Sequence, residues 1–307
     1  MAPGGRTTDS RCVTATWSSG CSKPLPVILK PVPDELLSSW LSRHAAFYGM
    51  PPPEFFRQLL QNSAIPNIRA VDKGLTDADA TQLGGFLHCD QSQIQRMTHS
   101  DLANGARRFL SQQSIQTCNP CRLRLLDLNA RDASPRYSCR GWRITCPLCS
   151  SKLSALPVGD NARQDVADPH PPAAAWDEAH EGERRLDQFL TADETAASAI
   201  AAFRMLLVPR ASPRMEIDRA RYMPRAIGAI VPWFDEWAKQ PKMFGGWKSH
   251  LIVPLPLRVG VLVGFRWLLE KPRPRFQILR SITLGNYRLQ LETLGAKATP
   301  ILGPLWF

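Results

Sequence analysis

Four cysteines, Cys118, Cys121, Cys146 and Cys149, fall into two C-x2-C pairs, and no other feature of the chain narrows its possible folds as far. Each pair can present two sulfurs from one tight knuckle. Two facing knuckles supply the tetrahedral sulfur cage that suits Zn²⁺. The pairs are separated by about 24 residues, enough for a hairpin or a small excursion between knuckles. A redox C-x-x-C and scattered buried cysteines are the competing readings. The redox motif needs one pair at a helix start after a strand, and two pairs in a Pro-Cys, Arg-rich context suit it poorly. Four thiolates close the coordination sphere, so the metal expected here is structural zinc rather than a catalytic centre with an open position. Cys12, Cys21 and Cys89 stand apart, and Cys139, between the knuckles, is an alternative ligand by spacing.

Charge is the second constraint. A net charge of +11 over 307 residues creates a positive field that attracts polyanions, with DNA or RNA the commonest partner. Arg outnumbers Lys, which suits bidentate phosphate contact and also follows from GC-rich coding. No basic leader followed by an apolar run opens the chain, so no signal peptide is read and the cysteines are expected in a reducing cytoplasm. The most apolar stretch, Leu251 to Leu269, contains Pro254, Pro256, Arg258 and Arg266. Each central Arg would cost about 2.5–3.5 kcal/mol in a bilayer, so a buried helix is expected and no membrane contact.

Mainly α structure is expected: a helical N-terminal region with a helix-turn-helix, a small zinc-ribbon-like module, and a C-terminal helical domain. Residues 1–24 read as a flexible tail, residues 25–153 as one domain, 154–174 as a linker, and 175–307 as a basic helical domain. After Pro33, Asp34 is placed to cap a helix and Glu35 to sit in its first turn. Leu36, Leu37, Trp40, Leu41, His44, Phe47 and Tyr48 then recur at helical spacing. A second helix is expected over Glu54–Leu60, and His44 and His88 are read as satisfied helical partners rather than ligands.

Thr76 to Thr98 suits a helix-turn-helix. Leu83, Leu87, Cys89, Ile94 and Met97 would face inward, Gly84 would sit where the helices touch, and His88 would take the turn position that needs positive φ. Its second helix would expose Gln91, Ser92, Gln93, Gln95 and Arg96 toward base edges or phosphates. An ordinary helical hairpin with a solvated face is the plainer alternative. Asp101–Gln112 reads as a further amphipathic helix. Between the knuckles, Arg122, Arg124, Arg131, Arg136, Arg140 and Arg143 form either a phosphate-contacting surface or a solvated face. Beyond the linker, helices are expected over Trp176–Leu190, Asp193–Leu207 and Leu257–Leu269, with a Trp233-Phe234-Trp237 cluster between them. The apolar tail Ile301–Phe307 either docks on the body or is offered to a partner. No phosphate-cradling glycine motif, H-E-x-x-H or G-x-S-x-G is present, which favours a binding protein over an enzyme.

The run Pro33-Asp34-Glu35-Leu36-Leu37-Ser38-Ser39-Trp40-Leu41-Ser42-Arg43 resembles the opening motif of the TniQ/TnsD family, the target-selection proteins of transposons. The matching positions are Pro33, Glu35, Leu37, Ser39, Trp40, Leu41 and Arg43, followed in the family's order by a helical region and cysteine knuckles. The resemblance runs from about Leu25 to Leu153. The family usually has His where Cys149 stands, and often a further C-x-x-C that is missing here after Leu153. The resemblance implies a non-catalytic, nucleoid-associated adaptor. It would recognise a DNA target, or a protein or RNA-guided complex on one, and recruit an AAA+ transposition regulator that brings a DDE transposase. A zinc-containing helix-turn-helix transcriptional regulator, or a nuclease with a structural ribbon, are the competing functions.

Overall fold

The computed structural model describes residues 24–61, 63–156, 171–210, 224–238, 253 and 255–305. The tail 1–23 with Cys12 and Cys21, most of the expected linker, the basic stretch with Arg214, Arg219 and Arg221 in the expected C-terminal domain, and Phe307 lie outside the described residues. The chain is mainly helical, with one two-stranded antiparallel sheet among the described residues.

Four helices build a first core: α1 (Leu37–Phe47), α2 (Pro52–Leu59), α3 (Asp77–Leu87) and α4 (Gln91–Arg96). Leu37, Trp40 and Leu41 from α1 meet Phe55 and Phe56 from α2, Leu83 and Leu87 from α3, and Ile94 from α4. Phe47, expected on the buried face of α1, is instead 53% exposed. The arm before α1 is tied down by buried polar groups. Trp40 Nε1 donates to the Leu29 carbonyl (2.8 Å), while His44 Nδ1 donates to Trp40 O (2.9 Å) and its Nε2 accepts the Leu29 N–H (3.0 Å). His44 is therefore a neutral, fully satisfied core residue, and burial holds its pKa below the ordinary histidine value.

The α3–α4 connection follows the sequence. Thr76 caps α3 by accepting the Asp79 N–H, and Asp90 caps α4 by accepting that of Gln93. His88 ends α3 in the left-handed region at φ 50°, ψ 42°. A Cβ on Gly84 would lie 2.5 Å from the Cys89 carbonyl oxygen, so only glycine lets the turn fold back this closely.

Two expectations fail around α1 and α4. Asp34 caps nothing: α1 begins after Leu36, whose side chain makes no cap bond, and Glu35 lies ahead of the helix. Asp34 instead has φ 57° and occupies the third position of a turn closed by Glu35 N to Val32 O (3.2 Å), with Pro33 at the second. The segment from Asp101 to Gln112 is not an α-helix. It holds only a 3₁₀ turn, Ala106–Phe109, because tertiary bonds such as Ala103 N to Leu190 O (2.9 Å) take backbone groups a helix would use.

The second core begins at Leu102 and runs to Leu305. Its first part is the cysteine module: β1 (Gln116–Thr117), α5 (Asn119–Asp127) and β2 (Ser154–Ala155), with β1 pairing β2. Its second part is a set of helices: α6 (Ala173–Thr191), α7 (Asp193–Leu206), α8 (Pro232–Ala238), α9 (Leu255–Glu270), α10 (Pro272–Ile282) and α11 (Gly285–Leu302). α7 packs along α11, and α6 along α9. At Gly182 the α6 backbone approaches α9 so closely that a Cβ would overlap the Leu262 carbonyl oxygen. Leu305 is buried, so this part of the tail docks on the body.

Cysteine module and C-terminal helices share one hydrophobic core. Phe109 packs edge-on against Trp142 (6.0 Å between centroids) and against Phe203 of α7 (5.1 Å). Buried polar groups reinforce the join. Arg258, in the apolar helix α9, is 2% exposed and donates to Val253 O (2.6 Å), Arg143 O (2.7 Å) and the Gln116 side-chain oxygen. Burial lowers its pKa to about 9, partly offset by the nearby Glu183. Glu183 of α6 accepts from the N–H groups of Ile144 (3.1 Å) and Thr145 (3.3 Å) and from the Thr145 hydroxyl (2.6 Å). Asp187 pairs with Arg143 and accepts Trp142 Nε1 (2.6 Å).

Candidate metal centre

The two knuckles meet. First, Cys118 immediately precedes α5 and Cys121 lies in its first turn, so both sulfurs sit at the positive end of a helix, where thiolates are favoured. Second, Cys146 and Cys149 lie at the tip of a small loop closed by the Thr145–Lys152 bridge. The Cys146 N–H donates to Ser151 O (2.9 Å), the Ser150 N–H to Cys146 O (2.8 Å), and Ser150 turns the chain at φ 58°. The β1–β2 pair brings the chain before the first knuckle beside the chain after the second.

Cys118 Sγ lies 3.3 Å from Cys149 Sγ, and Cys121 Sγ lies 3.6 Å from both Cys146 and Cys149. All four sulfurs fall within 4.8 Å of one another. None of the four forms a disulfide. Sulfurs bound tetrahedrally to one ion at about 2.3 Å would stand about 3.8 Å apart, so the spacing fits a metal ion at the centroid. Burial pushes the Cys118 thiol up to about 11, helped by hydrogen bonding to the Cys149 and Cys146 sulfurs. Cys121 rises for the same two reasons. Cys149 is lowered to about 6 by the Ser151 hydroxyl and N–H. Crowded thiols that resist ionisation together become favourable ligands once a dication sits among them. The four can hold a metal ion. Cys139 is not among them: it is buried beside Ser138 Oγ at 3.9 Å, and burial raises its thiol to about 11.

A polar clasp fastens this module to the first core. Glu35, 1% exposed, accepts from Arg43 NH1 (2.8 and 3.0 Å), the Ser39 hydroxyl (3.0 Å) and the Val32 N–H (3.0 Å). Ser39 Oγ in turn accepts the Ser134 N–H (2.8 Å), and Leu36 N–H donates to Ser134 O (2.9 Å). Asp34 accepts Arg136 Nε (2.9 Å) and the Tyr137 N–H (3.1 Å). Glu35, Ser39 and Arg43 recur every four residues and so share one face, while Leu37, Trp40 and Leu41 fill the core on the other.

The TniQ family model matches residues 26–156, the span from the arm through both knuckles. This segment is similar to the TniQ family. The match covers less than half of the 307 residues. Comparison with curated proteins and with solved structures returns no match.

Within the matched segment three polar residues of α4 have partners at home. Gln91 and Gln95 both donate their amides to Asp77 Oδ1 of α3, at 2.5 and 2.9 Å, and the Ser92 hydroxyl donates to Asp90 (2.6 Å). Gln93 is half-buried and Arg96 exposed. Of the six arginines between the knuckles, three are used internally. Arg136 binds Asp34 and Asp101, Arg140 binds Asp101 (2.6 Å), and Arg143 binds Asp187. Arg122, Arg124 and Arg131 are exposed, and α5 also leaves Leu123 and Leu126 open to solvent, followed by Leu128. Among the described residues no helix is long and apolar enough to cross a membrane.

Two contributors escaped the sequence reading. The clasp residues carried a motif resemblance but no visible reason for it. The Arg258–Glu183 join left one trace, an arginine in the middle of an apolar run, which signals a buried polar partner.

Proposed function

We propose that the chain is a non-catalytic transposition adaptor that selects a target site on DNA and recruits the AAA+ regulator and, through it, the DDE transposase. The match of residues 26–156 to the TniQ family carries this reading. Cys118, Cys121, Cys146 and Cys149 would hold one structural Zn²⁺, since an all-sulfur donor set with tetrahedral spacing suits that ion best and leaves no open position for chemistry. The ion would fix the knuckles so that α5 keeps its place.

Target contact is assigned to α4, with Gln91, Ser92, Gln93, Gln95 and Arg96 meeting DNA directly or meeting a complex already seated on it. Protein recruitment is assigned to the exposed leucines of α5 and its end, Leu123, Leu126 and Leu128, flanked by Arg122 and Arg124. Exposed apolar clusters rimmed by charge are typical of protein contacts, and the arginines favour an acidic partner surface. The adaptor would act in the cytoplasm, on the nucleoid.

Two variants test the reading. Arg96→Ala should weaken DNA binding and lower the slope of log affinity against log salt by about 1. Leu123→Asp with Leu128→Asp should abolish pull-down of an AAA+ transposition regulator from the native host while leaving DNA affinity unchanged. Unaltered salt dependence in the first and full recruitment in the second would overturn both assignments.

A further inference from the structure

A cleft separates the first core from the cysteine module, lined by the 3₁₀ turn Ile68–Lys73 on one side and by Arg107 to Ser114 on the other. Four cations line it: Arg69, Lys73, Arg107 and Arg108. None of them makes a salt bridge among the described residues, whereas Arg136, Arg140 and Arg143 of the same domain are all paired. Two carboxylates share the cleft. Asp72 is already engaged by the Ser38 N–H (2.9 Å) and hydroxyl (2.5 Å), and burial raises its pKa to about 6, so part of its charge is lost near neutrality. Asp132 is exposed. The balance is positive, and hydroxyl and amide groups from Asn67, Ser111, Gln112 and Gln113 add uncharged donors.

A second observation points to a ligand. His99, 2% exposed, lines the same cleft with its Nδ1 unpartnered, and Nε of Arg107 is likewise buried without a partner. Such groups are costly when left unsatisfied, and a polar guest would relieve them. Burial first, then the guanidiniums of Arg140, Arg136 and Arg107, hold His99 neutral, with a pKa of about 3. Beside the burial, those three guanidiniums add positive field around His99, which an anion prefers. The Arg107 guanidinium passes over Gly74, 3.4 Å from where a Cβ would be, and Gly74 has φ 133°, which only glycine adopts easily.

We infer that this cleft binds phosphate groups, with Arg69, Lys73, Arg107 and Arg108 as the cationic wall and His99 Nδ1 with the Arg107 Nε as inner contacts. Unpaired arginines with a planar fork suit a phosphate's oxygens, and the openness of the cleft suits a chain passing along it as well as a free nucleotide. The site is separate from α4 and stands whether or not α4 meets DNA.

The test uses the full chain and the variant Arg69→Gln/Lys73→Gln/Arg108→Gln, whose altered side chains are exposed and should leave the melting temperature unchanged. Labelled oligonucleotides, single- and double-stranded, are titrated by fluorescence anisotropy across a salt series, and inorganic pyrophosphate and ATP by calorimetry. The expected result is at least a tenfold loss of affinity for an oligonucleotide, with the salt slope reduced by about 2–3, or the same loss for pyrophosphate alone if the source is a free phosphate. Gln112→Glu, which adds a carboxylate without removing a cation, should weaken the same ligand. Arg96→Ala should leave the pyrophosphate arm untouched. Wild-type affinity for every probe in both folded cleft variants, or no binding of any probe to the wild type, would overturn the inference.

Discussion

Replacing Glu35 by alanine should destabilise the protein by about 3–5 kcal/mol, the cost of breaking a buried ion pair by removing one partner. Glu35 has no exposed side-chain surface and four hydrogen bonds converge on its carboxylate, two of them from one guanidinium nitrogen. Without it the Arg43 side chain, 16% exposed, keeps its charge in a place where water reaches it poorly, and Ser39 loses its acceptor. That residual access puts the expected loss toward the lower end, near 3 kcal/mol, or a fall in melting temperature of roughly 6–12 °C. Glu35→Gln keeps the shape and one acceptor oxygen and should cost less. The Glu35→Ala/Arg43→Ala double variant should be less damaged than the sum of the two single changes, because no unpaired charge is left behind. Thermal and urea unfolding followed by tryptophan fluorescence would report it, since Trp40 and Trp142 lie on the two sides of the clasp. A Glu35→Ala protein within about 0.5 kcal/mol of wild type would refute the idea that this motif is a structural clasp.

Further expectations follow from the same packing. Gly182→Ala should part α6 from α9 and cost about 3 kcal/mol or more, because the new methyl meets the Leu262 backbone rather than a movable side chain; a stable, unchanged variant would mean the helices are not packed this closely. Acid should destabilise the fold as pH falls below about 6.5, since His99 is neutral when folded, with a pKa of about 3, while the unfolded chain takes up the proton. Asp72 opposes this: its raised pKa of about 6 means the folded form holds a proton that the unfolded chain releases, so its contribution grows on acidification and is lost as pH rises through 6. Between about pH 4 and 6 the two slopes offset, and Asp72→Asn should steepen the acid loss in that window; identical pH–stability curves for the two proteins would contradict the assignment.

How far the sequence foretold these features depended on whether the physics was local. The cysteine pairs and the left-handed His88 were readable because a spacing rule or a backbone requirement acts within a few residues. Asp34 misled because an acidic residue before a helix has a strong local reading as a cap, whereas its actual partners are Arg136 and Tyr137, about a hundred residues away. Arg107 and Arg108 fall in the stretch Asp101–Gln112 that reads as an amphipathic helix, but bonds to α6 leave it a single 3₁₀ turn. The arginines between the knuckles looked alike in sequence. Only the fold separates Arg136, Arg140 and Arg143, bound to carboxylates, from the exposed Arg122, Arg124 and Arg131. The join between cysteine module and C-terminal helices was hidden for the same reason, since Glu183 and Arg258 acquire meaning only when α6 and α9 are brought together.

The most direct test is to purify the chain without added metal and determine zinc by elemental mass spectrometry, alongside thermal melts with and without a strong chelator. One equivalent of zinc per chain, lost together with the cooperative melt on chelation, is the predicted result. Well-folded protein carrying under half an equivalent of any metal, with a melting temperature indifferent to chelator, would contradict it.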